Sequence, residues 1–419
     1  MRRWSLLSMR GVMLACGFLV NMLLVRLVDE SEMSSWLLFT SAVAVLSAVI
    51  GMGIPALVGR NLAAWRGVPT YDFHPVIMAA IDRVTMIGLM VIVSALSLRA
   101  FVPLHVKSYI VYASLVGFLA SFLQMWTELL RGYGMAVGAM FMETLPNLFT
   151  MTLAALFLVY GYTPSFEIEL VVVYAVGFIL AIVAGFILFK HVFAPGLGVV
   201  QSGKRIRLLS DSWPIGINNI LQGFASQADL WVAGIYLESH VLVVYGLATR
   251  FTSLAYALQS ASRGMLQEHV PLLYAQGKME QMRSHIYENT RFNFLFSLSV
   301  LVGFVLIGKW VVALAFGDRY LDAWSIGVSL LAGRTLASVF GPGSLLLYLT
   351  GYQHALPLRT GVGIVIYVPI LILLTKQLGV YGTAAASIGF GLFMVVYSSW
   401  LWRRRFGFWV FEKPARQSG

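Results

Sequence analysis

Long apolar runs recur along the whole chain, separated by short stretches that carry charges, glycine or proline. A helix needs about 20 apolar residues to cross a bilayer, and these runs are close to that length. The pattern predicts twelve membrane-spanning helices, near residues 5–28, 34–58, 76–98, 108–130, 138–160, 167–189, 212–236, 240–262, 292–316, 324–350, 359–376 and 380–402. The expected fold class is therefore all-α: a polytopic membrane protein with almost no sequence left for an extramembrane domain.

The longest hydrophilic interruption, residues 190–214, separates six predicted spans from six. We expect an N-terminal lobe, a cytoplasmic linker, a C-terminal lobe and a basic cytoplasmic tail, at 1–190, 191–211, 212–402 and 403–419 respectively. A shift of 208 positions superposes the hydropathy of the two lobes and places Asp229 on Asn21. Because six is an even number, both lobes enter the membrane from the same side, which predicts a parallel repeat with the substrate carried between the lobes.

Composition and charge agree with a membrane protein. Hydrophobic residues form 59% of the 419 positions, charged residues form 11%, and the mean hydropathy is +0.82, which excludes a soluble globular chain. Predicted loops on the same side of the membrane as the N-terminus hold twenty Arg and Lys residues, Arg359 among them. The loops on the opposite side hold five, Arg99, Lys107, Lys309, Arg319 and Lys376. By the positive-inside rule this bias places both termini in the cytoplasm. It also accounts for the net charge of +11 without a nucleic-acid partner.

Polar residues in the seventh and eighth spans follow the period of a helix face. The seventh span carries a polar stripe with spacings of 4, 4 and 3, formed by Asn218, Gln222, Ser226 and Asp229. The eighth span carries Tyr245, Thr249, Thr252, Ser253, Tyr256, Gln259 and Ser260, with Arg250 beside them. Such stripes face a neighbouring helix or a water-filled cavity, because unpaired polar groups are costly against lipid.

The carboxylate of Asp229 has two interpretations. Asp229 and Arg250 lie at comparable depth, about 14 and 16 Å below the turn between their spans, so they could form a structural ion pair. Alternatively Asp229 is the candidate group for coupling to H⁺ or Na⁺, and the two interpretations are compatible. Elsewhere in the chain, an ion pair with Arg131 explains the presence of the Glu128 carboxylate in a predicted span.

Chemical signatures of enzymes and metal sites are missing from the sequence. It contains no HExxH, GxSxG, P-loop or DxD motif, and its seven His residues are scattered. Cys16 is the single cysteine, which excludes a disulfide and a cysteine metal site. A polytopic glycan polymerase or ligase would need a large outer loop with catalytic Arg or His, and every predicted outer loop is short.

Four stretches carry a family resemblance, in order along nearly the whole chain: "GFLVNMLLVRLVDESEMSSW", "IGMGIPALVGRNLA", "LLRGYGM" and "SDSWPIGINNILQGFASQADLWVAGIYLESHVLVVYGLATRF". They resemble the multidrug/oligosaccharidyl-lipid/polysaccharide (MOP) exporter superfamily, and within it the bacterial flippases for O-antigen or capsule repeat units. The resemblance implies two six-helix lobes in a V around a central cavity. Together with the polar stripes it implies a set of substrate-binding residues: Arg26, Arg60, Arg250, Asn21, Asn218, Gln222, Ser226, Asp229, Thr249, Ser253 and Tyr256.

The function that this resemblance implies is translocation of a polyprenyl-diphosphate-linked oligosaccharide across the bacterial inner membrane by alternating access. Arginine forks suit diphosphate oxygens, and the sugar hydroxyls need a solvated cavity. Expected partners are this lipid-linked substrate, membrane lipids and, as a possible partner, the polysaccharide polymerase machinery. No cofactor is expected apart from possible coupling to H⁺ or Na⁺.

Alternative functions of the same fold stay open. A multidrug or cation antiporter would favour a predominantly acidic cavity, whereas most of the embedded charges in this sequence are arginines. A lipid II-type flippase and a polymer exporter are not distinguished from a repeat-unit flippase by the sequence.

Overall fold

The structure, a computed structural model, describes residues 2–65, 74–98, 104–165, 169–193, 208–352 and 355–413. Within these ranges the regular secondary structure is helical, which confirms the all-α fold class. The α-helices are α1 (Arg2–Leu27), α2 (Glu30–Gly51), α3 (Ile54–Trp65), α4 (His74–Leu98), α5 (Leu104–Gly132), α6 (Ala136–Tyr160), α7 (Val171–Phe193), α8 (Leu208–Tyr236), α9 (Ser239–Ala275), α10 (Met279–Phe316), α11 (Asp322–Val339), α12 (Gly343–Leu349) and α13 (Ala355–Phe406).

Each of the twelve predicted spans overlaps one or two helices of the described chain. Seven described helices are long and apolar enough to cross a membrane, or eight if the bent pair α11 and α12 is counted as one span. The helix α8, which carries the predicted polar stripe of the seventh span, is not among these seven. Its length suffices to cross a membrane, but the polar residues on one of its faces lower its mean hydropathy.

Two predicted spans are interrupted where the sequence pattern shows one continuous apolar run. The second span breaks between α2 and α3, where Met52 has φ 45° and Gly53 has φ 74°. The tenth span bends by 44° between α11 and α12, where Gly341 has φ 62°. A left-handed residue ends the ladder of helical hydrogen bonds, and proline at Pro55 or Pro342 suits the start of the next helix.

The last two spans both lie within α13, and they form an antiparallel hairpin. Gly379 has φ 59° and ψ −137°, a conformation that essentially requires glycine and reverses the chain. As a result the hydroxyls of Thr375 and Thr383 lie 3.0 Å apart, and those of Tyr367 and Ser387 lie 3.1 Å apart. In a straight helix the latter pair would be separated by about 30 Å.

The chain forms two compact units, Met1–Gln227 (unit 1) and Ala228–Gly419 (unit 2), whose division falls within α8. Most of the predicted linker at 191–211 lies outside the described residues. The predicted lobe limits therefore stay predictions. The first residues of the predicted basic tail are helical, since α13 ends at Phe406.

Unit 1 contains the predicted pair of Glu128 and Arg131, and a second acid joins it. The guanidinium of Arg131 donates to Glu128 Oε1 at 2.5 Å and to both carboxylate oxygens of Glu143 at 2.6 and 2.7 Å. Because Glu128 and Arg131 lie on α5 and Glu143 on α6, this ion cluster joins the cytoplasmic ends that the charge bias predicts for these helices.

Close packing in unit 1 depends on Gly216 of α8. A Cβ atom at this position would lie 2.5 Å from the Met52 carbonyl oxygen, whereas one at Gly223 would meet only Ala48 Cβ, at 3.9 Å. Gly216→Ala should therefore lower the free energy of unfolding by about 1–3 kcal/mol, the cost of overpacking a fixed backbone contact. Gly223→Ala on the same helix is the matched control and should be neutral or stabilising by about 1 kcal/mol. Thermal unfolding of the two variants in detergent measures the difference, and equal stabilities would contradict this packing.

Candidate coupling and substrate site

The carboxylate of Asp229 lies in unit 2 and is hydrogen-bonded by hydroxyl groups. Asp229 Oδ2 accepts hydrogen bonds from the Tyr245 hydroxyl at 2.6 Å and from Ser387 Oγ at 3.0 Å. Asp229 Oδ1 accepts from the backbone N–H of Leu230 at 2.8 Å. Among the described residues the carboxylate therefore has three donors, all of them neutral.

A second tyrosine extends this arrangement. The hydroxyls of Tyr367 and Ser387 lie 3.1 Å apart, and Tyr367 donates because the single Ser387 proton goes to Asp229. The Tyr367 ring stacks on Phe390 with 4.4 Å between the ring centroids. Tyr245 is fully buried and Tyr367 is 4% exposed. We call Asp229, Tyr245, Tyr367 and Ser387 the acid–hydroxyl cluster.

The expected ion pair between Asp229 and Arg250 is not formed, so this interpretation was wrong. Among the described residues, the Asp229 carboxylate accepts hydrogen bonds from Tyr245, Ser387 and Leu230. Tyr245 occupies the side of α9 that faces the acid, and Arg250 follows it by five residues. Since a helix turns by about 100° per residue, Arg250 points about 140° away. Comparable depth in the membrane was therefore insufficient to predict the pair.

Two of the four members of the predicted stripe on α8 lie at the surface of the protein. Gln222 and Ser226 are exposed, and Asn218 and Asp229 are partly buried. Gln222 Nε2 donates to Asn218 Oδ1 at 3.3 Å, and Ser226 Oγ donates to the Gly223 carbonyl at 2.8 Å. The stripe thus forms along one face as predicted. Its role as the lining of a cavity stays a prediction.

The predicted residues of α9 mostly bond to their own helix. Thr249 Oγ1 donates to the Gly246 carbonyl at 2.7 Å, and Ser253 Oγ donates to the Thr249 carbonyl at 3.1 Å. Thr249 and Arg250 are partly buried and Ser253 is exposed. The side chain of Tyr256 lies outside the described residues.

The predicted residues on α1 and α3 are two exposed cations and one buried amide. Arg26, in the last turn of α1, and Arg60, on α3, are both exposed. Asn21 is 5% exposed and donates from Nδ2 to the Gly17 carbonyl at 2.7 Å. Its Oδ1 atom is buried without a hydrogen-bond partner in the part of the chain that the structure describes.

Sequence reasoning did not single out Tyr367 and Ser387 as partners of the acid. Both are polar residues in the middle of long apolar runs, and this isolation is the signal that could have identified them. The reversal at Gly379 then brings the two side chains to the same depth.

The acid–hydroxyl cluster predicts a measurable coupling between Asp229 and Tyr245. Tyr245→Phe should cost about 1.5–3 kcal/mol of stability, because a charge-assisted hydrogen bond is lost. In the Asp229→Asn background the cost should fall to about 1 kcal/mol, since the remaining bond is neutral. Denaturation of the two single variants and the double variant gives the coupling. Ser253→Ala is the control, because its side chain shares no hydrogen-bond partner with the cluster. Its effect on the free energy of unfolding should add to that of Asp229→Asn. Additive effects of Tyr245→Phe and Asp229→Asn would contradict the assignment.

Comparisons with known proteins find no match by sequence, but they find solved structures with a similar fold. No protein-family model and no curated protein matches the chain. A solved structure of the inward-facing conformation of a multidrug resistance MATE family transporter of the MOP superfamily is similar with a TM-score of 0.71 and 17% identity, covering 97% of this chain and 98% of that chain. A crystal structure of MATE in complex with MaL6 is similar with a TM-score of 0.70 and 18% identity, covering 97% and 95%.

A third similar structure is a MOP superfamily transporter from Pyrococcus furiosus for which a reverse polarity of the binding pocket suggests a different function. Its TM-score is 0.67 at 17% identity, with 97% of this chain and 94% of that chain covered. At these identities the likeness concerns the fold. This chain therefore has the membrane-transporter fold of the MATE proteins of the MOP superfamily.

Proposed function

We propose that this protein is a cation-coupled antiporter that exports organic cations or amphipathic drugs by alternating access. The observation that carries the proposal is the acid–hydroxyl cluster, whose carboxylate has no arginine or lysine partner among the described residues, inside a fold shared with multidrug transporters. An ionisable residue within a membrane segment most often serves an ion or substrate pathway.

Asp229 is the coupling group in this proposal. Three neutral donors orient the carboxylate but leave its negative charge uncompensated within the described residues. Binding of H⁺ or Na⁺ removes that charge, and the tyrosine and serine oxygens around it are the hard ligands that such a cation takes. The same charge attracts a cationic substrate, so the ion and the substrate compete for one acid.

The exposed polar stripe of α8 supplies the substrate contacts in this proposal. Gln222 and Ser226 offer neutral donors and acceptors, which suit varied organic molecules because they impose no charge requirement. We further propose that both termini lie in the cytoplasm and that the protein resides in a bacterial inner membrane. The asymmetry of Arg and Lys supports the orientation.

Reconstituted transport tests the coupling role. In proteoliposomes loaded with ethidium, an imposed H⁺ or Na⁺ gradient should drive transport by the wild-type protein. Asp229→Asn should reduce it about tenfold or more, the scale of a coupling free energy of about 1–3 kcal/mol. Glu238→Gln, at the exposed start of α9, is the control and should transport normally. Gradient-driven ethidium transport by Asp229→Asn at the wild-type rate would refute the proposal.

A second candidate function is the translocation of a lipid-linked diphosphate oligosaccharide. The observation in its favour is the exposed guanidinium groups of Arg26 and Arg60 in unit 1. Guanidinium forks bind phosphate oxygens through two hydrogen bonds, which a lysine cannot reproduce. The reverse pocket polarity reported for the Pyrococcus furiosus transporter indicates that this fold accommodates different charges.

A fluorescent polyprenyl-diphosphate oligosaccharide in the same liposomes separates the two functions. If the lipid is the substrate, Arg60→Gln should slow its translocation about tenfold or more, and Arg60→Lys should fall between this variant and the wild type. Lys309→Gln removes an exposed cation of α10 and is the control. If the wild-type protein moves ethidium but not the lipid, the second candidate is discarded.

A further inference from the structure

Unit 2 buries a second charged group, the guanidinium of Arg359 near the start of α13. The charge pattern of the sequence predicts Arg359 in a cytoplasmic loop. In the structure Arg359 is only 4% exposed, because the helix begins at Ala355 and packs against the second half of the hairpin. Its Nη1 atom donates to Ser344 Oγ at 2.9 Å and to Ser398 Oγ. Its Nη2 atom reaches Thr360 Oγ1 at 3.4 Å.

No carboxylate is within ion-pair distance of Arg359 among the described residues. The acid of the same unit, Asp229, is bound to Ser387, and Arg359 is bound to Ser398. These two serines are eleven residues apart on one helix, so their Cα atoms lie about 16 Å apart along its axis. The acid therefore does not neutralise this cation, and a buried charge without a counter-ion is strongly unfavourable.

Several hydrogen-bond donors on Arg359 and on the second half of the hairpin lack a partner, although Arg359 Nη1 also reaches the Met394 carbonyl at 3.5 Å. Arg359 Nε, Ser399 Oγ and Trp402 Nε1 are buried without a partner in the described chain. Trp402 is fully buried, and it follows Ser398 and Ser399 by four and three residues, so all three lie on adjacent parts of one helix face. An unpaired buried donor costs about 1–3 kcal/mol, and an anion is the ligand that such a set of donors accepts.

Two hydroxyls in the cluster can turn toward an anion. Ser344 Oγ and Ser398 Oγ lie 3.1 Å apart and now receive hydrogen bonds from the guanidinium. Gly343 makes their approach possible, because a Cβ atom at that position would lie 2.9 Å from the backbone nitrogen of Ser399. The Ser398 hydroxyl now donates to the Met394 carbonyl at 2.6 Å. Because a hydroxyl rotates about its C–O bond, each of the two can donate to a ligand in exchange for its present bond.

We propose that a small inorganic anion of the halide class binds at Arg359, Ser344 and Ser398. Chloride carries the single charge that one guanidinium balances, and a site 4% exposed to solvent suits a compact ion rather than a phosphate or a lipid headgroup. The bound ion joins α12, in the broken tenth span, to both halves of the hairpin. This site is independent of the transport function proposed above.

Thermal unfolding of the purified, full-length protein in detergent tests the proposal. Sodium chloride replaces sodium gluconate at constant ionic strength, and bromide and phosphate are run as separate series. Chloride and bromide should raise the unfolding temperature by several degrees in a saturable manner, and phosphate should not. Arg359→Gln should abolish the dependence. Arg404→Gln, an exposed arginine beside Trp400 on the same helix, should retain it.

Ser344→Ala provides a second variant in case Arg359→Gln does not fold. It keeps the cation but removes one donor, so the half-saturating chloride concentration should rise about tenfold or more. Crystals grown in sodium bromide should show an anomalous peak within hydrogen-bond distance of Arg359. The proposal is overturned if the wild-type unfolding temperature is the same in chloride and gluconate, if Arg359→Gln responds like the wild type, or if the peak lies elsewhere.

Discussion

A charged or polar group inside an apolar helix bundle has to find its hydrogen-bond partners within the protein, because lipid offers none. This constraint governs the arrangement of unit 2. The Asp229 carboxylate receives the hydroxyls of Tyr245 and Ser387, and the Arg359 guanidinium donates to Ser344 and Ser398. In both places serine hydroxyls of α13 solvate a charge that water would solvate elsewhere.

Neutral hydroxyls orient a charge but do not cancel it. A pair of opposite charges is a stable structural element, as with Arg131, Glu128 and Glu143 in unit 1. In unit 2, Asp229 and Arg359 instead bond to two serines about 16 Å apart along one helix, and each is left with hydroxyl partners. Such a site responds to an ion from outside, since the ion removes an electrostatic cost that the protein has not removed itself. For this reason the acid is a candidate for coupling and the arginine a candidate for anion binding.

Glycine determines where these helices can approach or reverse. At Gly379 the backbone conformation allows the hairpin that brings Tyr367 to Ser387, and the absence of a side chain at Gly343 brings Ser344 to Ser398. A helix without such positions would keep its polar residues at fixed spacing along one straight axis. The charged sites of unit 2 therefore depend on backbone geometry as much as on the polar side chains.

The sequence by itself determined the all-helical fold class, the polar stripe of α8, the pairing of Glu128 with Arg131 and the unusual position of Asp229. These follow from local periodicity, because a residue three or four positions away on a helix is a neighbour in any fold. Tertiary structure decided the partners of Asp229, which come from Tyr245 and from the hairpin, and it excluded Arg250, which shares the depth of the acid but points elsewhere. It also placed Arg359 in the interior, whereas hydropathy had assigned it to a loop. Periodicity gives the face and the depth of a side chain along its own helix, while the partner across the bundle depends on how the helices pack, which no local pattern contains.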